Sequence, residues 1–326
     1  MAFDSTILDV VLATDENYAE FVSVVLVSLL DNNPQFRHIK AHLLVNNVSD
    51  RALTMIQESV ASDRLSVFTY DISNLRNILG IEVPPTIALT AYARLFVGSI
   101  LPQDIEKLLY LDCDIVVNDS ISDFWSLDLH ENWIAGCLDT LPNSLSKTNI
   151  GLERDDPYFN SGVLLINLSA WRKENLQTRF LQFLLDYGGH VHHHDQGIIN
   201  AVCNGHKVIV PLKFNLNSNY LSHQYALLAR TNTPFYSEEE VKEACAKPAI
   251  IHYTQGFYNR PWIRNSEHPF SGVFDKYHKR TEWRNNPKRK DPRPFHLRLL
   301  SWEFLHAPLW CYNVTLSCIQ LWKKIK

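Results

Sequence analysis

The six cysteines of this 326-residue chain (Cys113, Cys137, Cys203, Cys245, Cys311 and Cys318) occur singly, with no C-x-x-C pair among them. That spacing argues against a zinc or disulfide framework and leaves buried thiols as the expectation. Long apolar runs are missing too. The longest, around Phe21 to Leu30, is broken by Ser23 and Ser28 and falls well short of the roughly 20 residues a spanning helix needs. The first residues, MAFDSTILDVVLAT, lack a basic region and a small-residue cleavage site and carry Asp4 and Asp9. They do not read as a signal peptide, so the expected setting is cytoplasmic. The N-x-S/T triplets at Asn47, Asn118, Asn167 and Asn313 therefore carry no weight as glycan acceptors. No internal repeat or low-complexity segment appears, and 46% hydrophobic residues suffice for a buried core of one large or two small domains.

The net charge of -4 hides an asymmetry. From Lys279 to Lys326, eleven Lys and Arg face only Glu282, Asp291 and Glu303, a basic tail on an acidic body. An anionic partner is expected for the tail alone, and the acidic body argues against nucleic acid. Basic residues interleaved with Trp302, Trp310 and Trp322 suit an interfacial segment on anionic lipid, hence peripheral attachment to the inner membrane face. Pro292, Pro294 and Pro308 limit a continuous helix, and Arg298, Glu303 and His306 argue against a span. Ordinary packing of the aromatic stripe on the body is the other reading. The expected division is a main domain at 1-270 and a basic, aromatic tail at 271-326.

Strands alternate with helices from the start. Ile7 to Ala13 reads as a strand, Phe21 to Leu30 as a buried helix, Ile39 to Val45 and Leu65 to Tyr70 as further strands, with a helix capped by Ser49 between them. This alternation implies an α/β fold with a mostly parallel central sheet. Pro84 and Pro85 precede an amphipathic helix over Leu89 to Leu101. The run KLLYLDCDIVV, Lys107 to Val117, then places Asp112 and Asp114 inside apolar, β-prone sequence. Buried carboxylates must be paired, hydrogen-bonded or bound to metal. Two apart on an extended chain, they point the same way and suit one hard cation, Mg²⁺ or Mn²⁺, which also takes phosphate oxygens. A solvated turn is the plainer reading of that triplet alone. Trp133 to Leu138 is a strand ending at Asp139, residues 140-158 a long loop with Pro142 and Asn143, and Val163 to Leu168 a strand. A single helix is expected from Ser169 to Tyr187. Asp195 is expected to cap a helix over Gln196 to Asn204, and His190 to His194 to be a solvated loop.

Each polar cluster has an ordinary explanation: Asp15 a cap, Arg94 a surface ion pair, Asn160 a turn residue, His252 a satisfied core histidine. Their order is more specific. LATDENY, TAYARL, YLDCDIVV, CLD, FNSGVLLINLSAWR, DQGIIN and HY...RPW together resemble glycosyltransferase family 8, over roughly residues 6 to 264. The resemblance implies a single GT-A, nucleotide-sugar-binding domain and a retaining hexosyltransferase. It implies that Ala13, Asp15 and Asn17 hold the uracil and ribose of a UDP-sugar, with Tyr18 stacking nearby and Arg94 near the donor sugar and diphosphate. Asp112, Asp114 and His252 would bind Mn²⁺, or Mg²⁺, bridging the diphosphate. Asp139, Asn160 and Asp195 would bind hydroxyls of the transferred hexose, and Gln196 would lie under its anomeric carbon. The implied partners are a UDP-glucose or UDP-galactose donor and a saccharide or glycolipid acceptor, as in lipopolysaccharide synthesis.

One motif departs from the family. The usual pattern is H-x-x-G-x-x-K-P-W, whereas here Gln255 holds the glycine place, Gly256 follows, and Arg260-Pro261-Trp262 comes two residues late. Gly256 and Arg260 are the expected phosphate ligands of this longer loop. Three other readings stay open: a metal-dependent nucleotidyltransferase or phosphohydrolase, a catalytically weak nucleotide-sugar-binding protein, and a glycogenin-like glucosyltransferase.

Overall fold

The structure is a computed structural model that describes residues 4-75, 89-141 and 145-325. Pro84, Pro85, Pro142 and Asn143 lie outside the described residues. Seven strands form the main sheet: β1 (Ile7–Asp15), β2 (His38–Asn46), β3 (Leu65–Asp71), β4 (Lys107–Leu111), β6 (Ile134–Leu138), β7 (Phe159–Asn167) and β8 (Lys207–Ile209), in the order β3-β2-β1-β4-β7-β6-β8. A second, three-stranded sheet has the order β5-β10-β9, from β5 (Ile115–Val117), β10 (Ile250–His252) and β9 (Leu216–Asn217).

Four of the main-sheet pairings are parallel, β3 to β2, β2 to β1, β1 to β4 and β6 to β8, as the alternation of elements implied. The exception decides where the site lies. β7 runs antiparallel to both β4 and β6, pairing Leu111 with Val163 and Leu138 with Phe159. The carboxyl ends of β4 and β6 therefore meet the amino end of β7, so that Asp112, Asp139 and Asn160 come from distant sequence to one edge. After Asp114 the chain crosses to the small sheet, where Ile115 lies opposite His252.

The helix α1 (Ala19–Asn32) is buried continuously from Ala19 to Leu29, which explains its apolar character on all sides. Its Ser28 hydroxyl donates to the Val25 carbonyl at 2.8 Å and accepts from the Val117 amide at 3.0 Å, so a polar side chain in the core ties α1 to β5. Ser49 caps α2 (Asp50–Ser59) by accepting from the Ala52 amide, as expected.

Three expectations are corrected. The helix from Ser169 is two helices, Leu168–Lys173 and Leu176–Asp186, separated by Asn175 in a left-handed conformation at φ 49° and capped by Asn167 rather than Ser169. Asparagine tolerates that conformation and so breaks the helix without a glycine or proline. Asp195 is no cap: the helix His194–Val202 begins after His193 at φ 59°, and Asp195 turns inward to Arg94. The packed body also continues past Phe270. The helix Ser271–His278 buries Phe274 and Tyr277, Thr281 and Trp283 are buried beyond it, and Arg289 bridges to Ile263. The outer part of the tail is a helical hairpin, Phe295–His306 and Leu309–Ile325. Among the described residues no helix is long and apolar enough to cross a membrane.

Candidate active site

Beyond the ends of β1 and β4 lies a cavity of about 220 Å³ lined by Ala13, Asp15, Tyr18, Arg94, Asp112 and Asp114 among others. The Asp15 carboxylate accepts from the Asn17 and Tyr18 amides at 2.9 and 3.2 Å and so shapes the turn that closes one wall. Asn17 is exposed at the rim, and its carbonyl accepts from Arg289 at 2.9 Å.

Two carboxylates and one imidazole dominate the floor. Single ligand atoms of Asp112, Asp114 and His252 all lie within 4.8 Å of one another. Each aspartate has its own guanidinium: Arg94 meets Asp112 at 2.8 Å, and Arg260 meets Asp114 at 2.8 Å. Arg260 also donates to the Tyr18 hydroxyl at 3.1 Å, so the longer loop still delivers a cation to the second aspartate. Gly256 sits apart from the carboxylates, against Asn219, whose Oδ1 lies 2.8 Å from where a Cβ would be. Burial pushes Asp114 towards protonation, but His252 and Arg260 outweigh it and hold its carboxyl well below the usual range.

The tautomer of His252 follows from a chain of amides. The Gly162 backbone N–H can only donate, so it fixes Asn160 Oδ1 as its acceptor at 3.0 Å. Asn215 must then turn its amide nitrogen to that oxygen, at 2.9 Å, and its own oxygen to His252 Nδ1, at 3.0 Å. Nδ1 therefore carries the proton and Nε2 faces the two aspartates. Burial disfavours a charged ring, yet Asp114 and Asp112 raise the His252 pKa above its ordinary value, which shows that the pocket favours positive charge at Nε2. Gly162 completes the arrangement: a Cβ there would come within 2.3 Å of His252 Cε1 and 2.7 Å of Asp112 Oδ2. Two carboxylate oxygens and an imidazole nitrogen around space that even a methyl group would fill are a fitting donor set for a divalent cation.

A second polar cluster adjoins the first. Asp139 Oδ2 accepts from Gln196 at 2.9 Å and Asn160 at 3.3 Å, while its Oδ1 accepts from Asn217 at 3.1 Å. Gln196 Oε1 accepts from the Ser161 amide at 3.0 Å. Asp195 pairs with Arg94 at 3.1 Å, bridging the two clusters. Burial raises the Asp195 pKa, with Arg94 opposing it only in part. Arg94 is itself fully enclosed, lying over the Tyr110 ring at 4.3 Å and donating to the Ser161 carbonyl at 2.6 Å.

Fourteen residues were singled out from sequence, and all but Asn17 and Gly256 converge within these two clusters. Asn215, Asn217 and Gly162 were missed as individual residues. Asparagines at 215, 217 and 219 alternate with Leu216 and Ser218, a period of two that marks one face of an extended segment. Its shortness hid it, since β9 has only two residues.

A mostly parallel α/β sheet with a D-x-D pair at a strand end and a polar pocket beside it defines a glycosyltransferase of the GT-A fold. A glycosyl transferase family 8 model matches residues 9–266, and the chain belongs to that family. It is similar to the galactosyltransferase LgtC solved with donor and acceptor sugar analogues, at 27% identity and a TM-score of 0.70 over 85% of this chain and 99% of that one. It is also 25% identical to a lipopolysaccharide 1,2-glucosyltransferase of Escherichia coli over 85% of this chain and 79% of the relative. General stress protein A of Bacillus subtilis is 24% identical over 85% of this chain and 95% of its own length.

Proposed function

We propose that this glycosyltransferase moves a hexose, glucose or galactose, from a UDP-sugar to a saccharide acceptor with retention, in the assembly of lipopolysaccharide or another surface glycan. The observation that carries the reading is the Asp112, Asp114 and His252 triplet beside the Ala13–Tyr18 turn, with Arg94 and Arg260 at its two ends. The names of the similar E. coli glucosyltransferase and of LgtC support the substrate class.

On this reading Asp112, Asp114 and His252 hold Mn²⁺ or Mg²⁺. When bound, the metal offsets the charge that develops on the leaving diphosphate. Ala13, Asp15 and Asn17 hold the uridine, Tyr18 stacks nearby, Arg260 neutralises phosphate, and Gly256 shapes its loop. Asp139, Asn160 and Asp195 take the hexose hydroxyls, and Gln196 steadies positive charge at the anomeric carbon. An amide is a poor nucleophile, so the acceptor oxygen attacks on the face UDP leaves; a covalent intermediate on Asp195 is the alternative route. The new C–O bond forms as the bond to the diphosphate breaks, and the acceptor proton passes to a UDP oxygen.

The hairpin places Trp310, Phe295 and Trp302 outward, 67%, 70% and 56% exposed, which supports contact with an anionic membrane. Full-length protein should sediment with anionic vesicles at low salt and less at high salt. Equal partitioning onto neutral and anionic lipid would eliminate the basic tail as an anchor, and no sedimentation with either would remove the membrane from this proposal. For the activity, the test is a screen of UDP-sugars with and without Mn²⁺. UDP release from UDP-glucose or UDP-galactose, lost on chelation, is expected; a folded protein that releases none from any sugar nucleotide refutes the reading.

A further inference from the structure

A cavity of about 510 Å³ lies where the segment after Trp262 meets the first helix of the hairpin, Phe295–His306, with Arg264, Lys290, Arg293 and Arg298 among its lining residues. We infer that this cavity binds a phosphate group, carried by a lipid headgroup or by a soluble phosphate ester, on Arg264, Lys290 and Arg298. The site is separate from the two clusters described above and does not depend on the hexosyl-transfer reading. It also goes beyond the membrane contact proposed for the hairpin, because Arg264 lies outside the basic tail and the cavity is built by body and hairpin together.

The charge balance is the first support. Two carboxylates also line the cavity, and both are already engaged. Asp291 accepts from Arg293 Nε at 3.1 Å and Nη2 at 2.9 Å, and from Asn259 Nδ2 at 2.8 Å. Burial pushes its pKa up, but the bonds from Arg293 and Asn259 outweigh it and hold the carboxyl down to about 2. Arg293 is in turn occupied by Asp291 and by the Ser301 hydroxyl, at 2.9 Å. Glu267 meets His306 Nε2 at 2.8 Å. Arg264, Lys290 and Arg298 are exposed and form no ion pair with any described residue. With Arg293 and Asp291 cancelling, three cations therefore stand against Glu267 alone. Like charges gathered around one cavity repel one another, and a bound anion relieves that repulsion.

The geometry is the second support. Ile263 and Arg289 form a parallel bridge, in which the Arg289 amide donates to the Trp262 carbonyl at 2.7 Å and the Arg264 amide to the Arg289 carbonyl at 2.9 Å. Arg264 and Lys290, each one residue further on, lie on one face of that pair. Arg264 Nε donates to the Lys288 carbonyl at 3.0 Å, which fixes the guanidinium and leaves its two Nη groups to a ligand. Arg298 comes from the hairpin wall, on the helix face it shares with Trp302 and Leu305. Two guanidinium forks and an ammonium match the oxygens and the charge of a phosphate; a carboxylate, with two oxygens and a single charge, would leave part of the set unmet. Trp302, exposed at the rim, adds an amphipathic ring suited to the body to which the phosphate is joined.

The test titrates the full chain with glycerol 3-phosphate in the presence of a chelator, and measures its sedimentation with phosphatidylcholine vesicles with and without phosphatidic acid. Lys290→Ala combined with Arg298→Ala removes two cations of the cavity. Lys276→Ala combined with Lys279→Ala, also exposed, removes the same charge from outside it and is the control. A loss of at least tenfold in affinity for glycerol 3-phosphate in the cavity variant, with the control unchanged, is expected of a site for soluble phosphate esters. The same loss confined to phosphatidic acid vesicles, with glycerol 3-phosphate unbound by every form, assigns the site to a lipid headgroup. Equal losses in the two variants mean diffuse charge and overturn the site, as do an affinity that neither variant changes and a failure of the unaltered chain to bind either probe.

Discussion

Replacing Gly162 with alanine adds one methyl group at the most crowded point of the site. The new Cβ would lie 2.3 Å from His252 Cε1, 2.7 Å from Asp112 Oδ2 and 2.9 Å from His252 Nδ1, all closer than van der Waals contact permits. Neither neighbour can give way cheaply. His252 is 3% exposed and held by Asn215 and Asp114, and Asp112 is held by Arg94. Overpacking of this kind costs about 1–3 kcal/mol, which in a chain of this size lowers the melting temperature by a few degrees. The larger effect is on the metal, because turning a ligand or the partner that orients it typically weakens metal affinity about 10–100-fold. Calorimetric titration of Mn²⁺ in the presence of UDP, alongside thermal denaturation, reads both quantities. Gly162→Ala should bind Mn²⁺ at least tenfold more weakly and hydrolyse donor correspondingly more slowly at low Mn²⁺. Wild-type metal affinity in this variant would refute the assignment of Asp112 and His252 as neighbouring ligands.

Asp112→Asn or Asp114→Asn should abolish turnover in a folded protein, since each removes an anionic oxygen ligand; near-normal rates at low Mn²⁺ would contradict the metal assignment. Gln196→Ala should slow transfer without stopping it. Asp195→Ala should be more severe and should also lower the melting temperature, because it leaves the enclosed Arg94 with one carboxylate instead of two and breaking a buried pair costs about 3–5 kcal/mol; the reverse ordering would exchange their roles. Arg289→Ala frees the Asn17 carbonyl, held at 2.9 Å, and leaves the Glu20 carboxylate to His278 alone, and should raise the donor KM with little change in kcat, whereas an unchanged KM would show that the nucleotide turn holds its shape unaided.

The parts of the site legible in sequence are those where a polar residue interrupts a strong pattern. Asp112 and Asp114 in KLLYLDCDIVV, Asp139 after Trp133 to Leu138, and His252 after Ile250-Ile251 all stand at the end of an apolar run, where a carboxylate or imidazole has no packing reason to be. Asp195 misled because a carboxylate before a helix is usually a cap, and only the tertiary position of Arg94 draws it inward. Asn175 hid a helix break because asparagine is unremarkable within an amphipathic segment. The antiparallel direction of β7 left no local trace, since its residues are buried like those of a parallel strand. Beyond Phe270, proline and positive charge suggested a separate tail, while the burial of Phe274, Tyr277 and Trp283 depends on a surface that α1 and the RPW segment build from far away.

The reversal of chain direction at β7 has a bearing on how donor choice is inherited. On the proposed roles, the nucleotide cradle is made by residues 13-18, the D-x-D pair and the 252-260 loop, Arg94 stands between diphosphate and sugar, and the other hexose contacts fall within one stretch from Asp139 to Asn217. The pairs that cross the border, among them Arg94 with Asp195, Arg94 with the Ser161 carbonyl and Asn215 with His252, need not change when the sugar does. A lineage can therefore exchange glucose for galactose by substitutions confined to the middle of the chain while its flanks go on recognising the same nucleotide, and a chimaera exchanging that stretch alone between relatives would carry sugar preference with it.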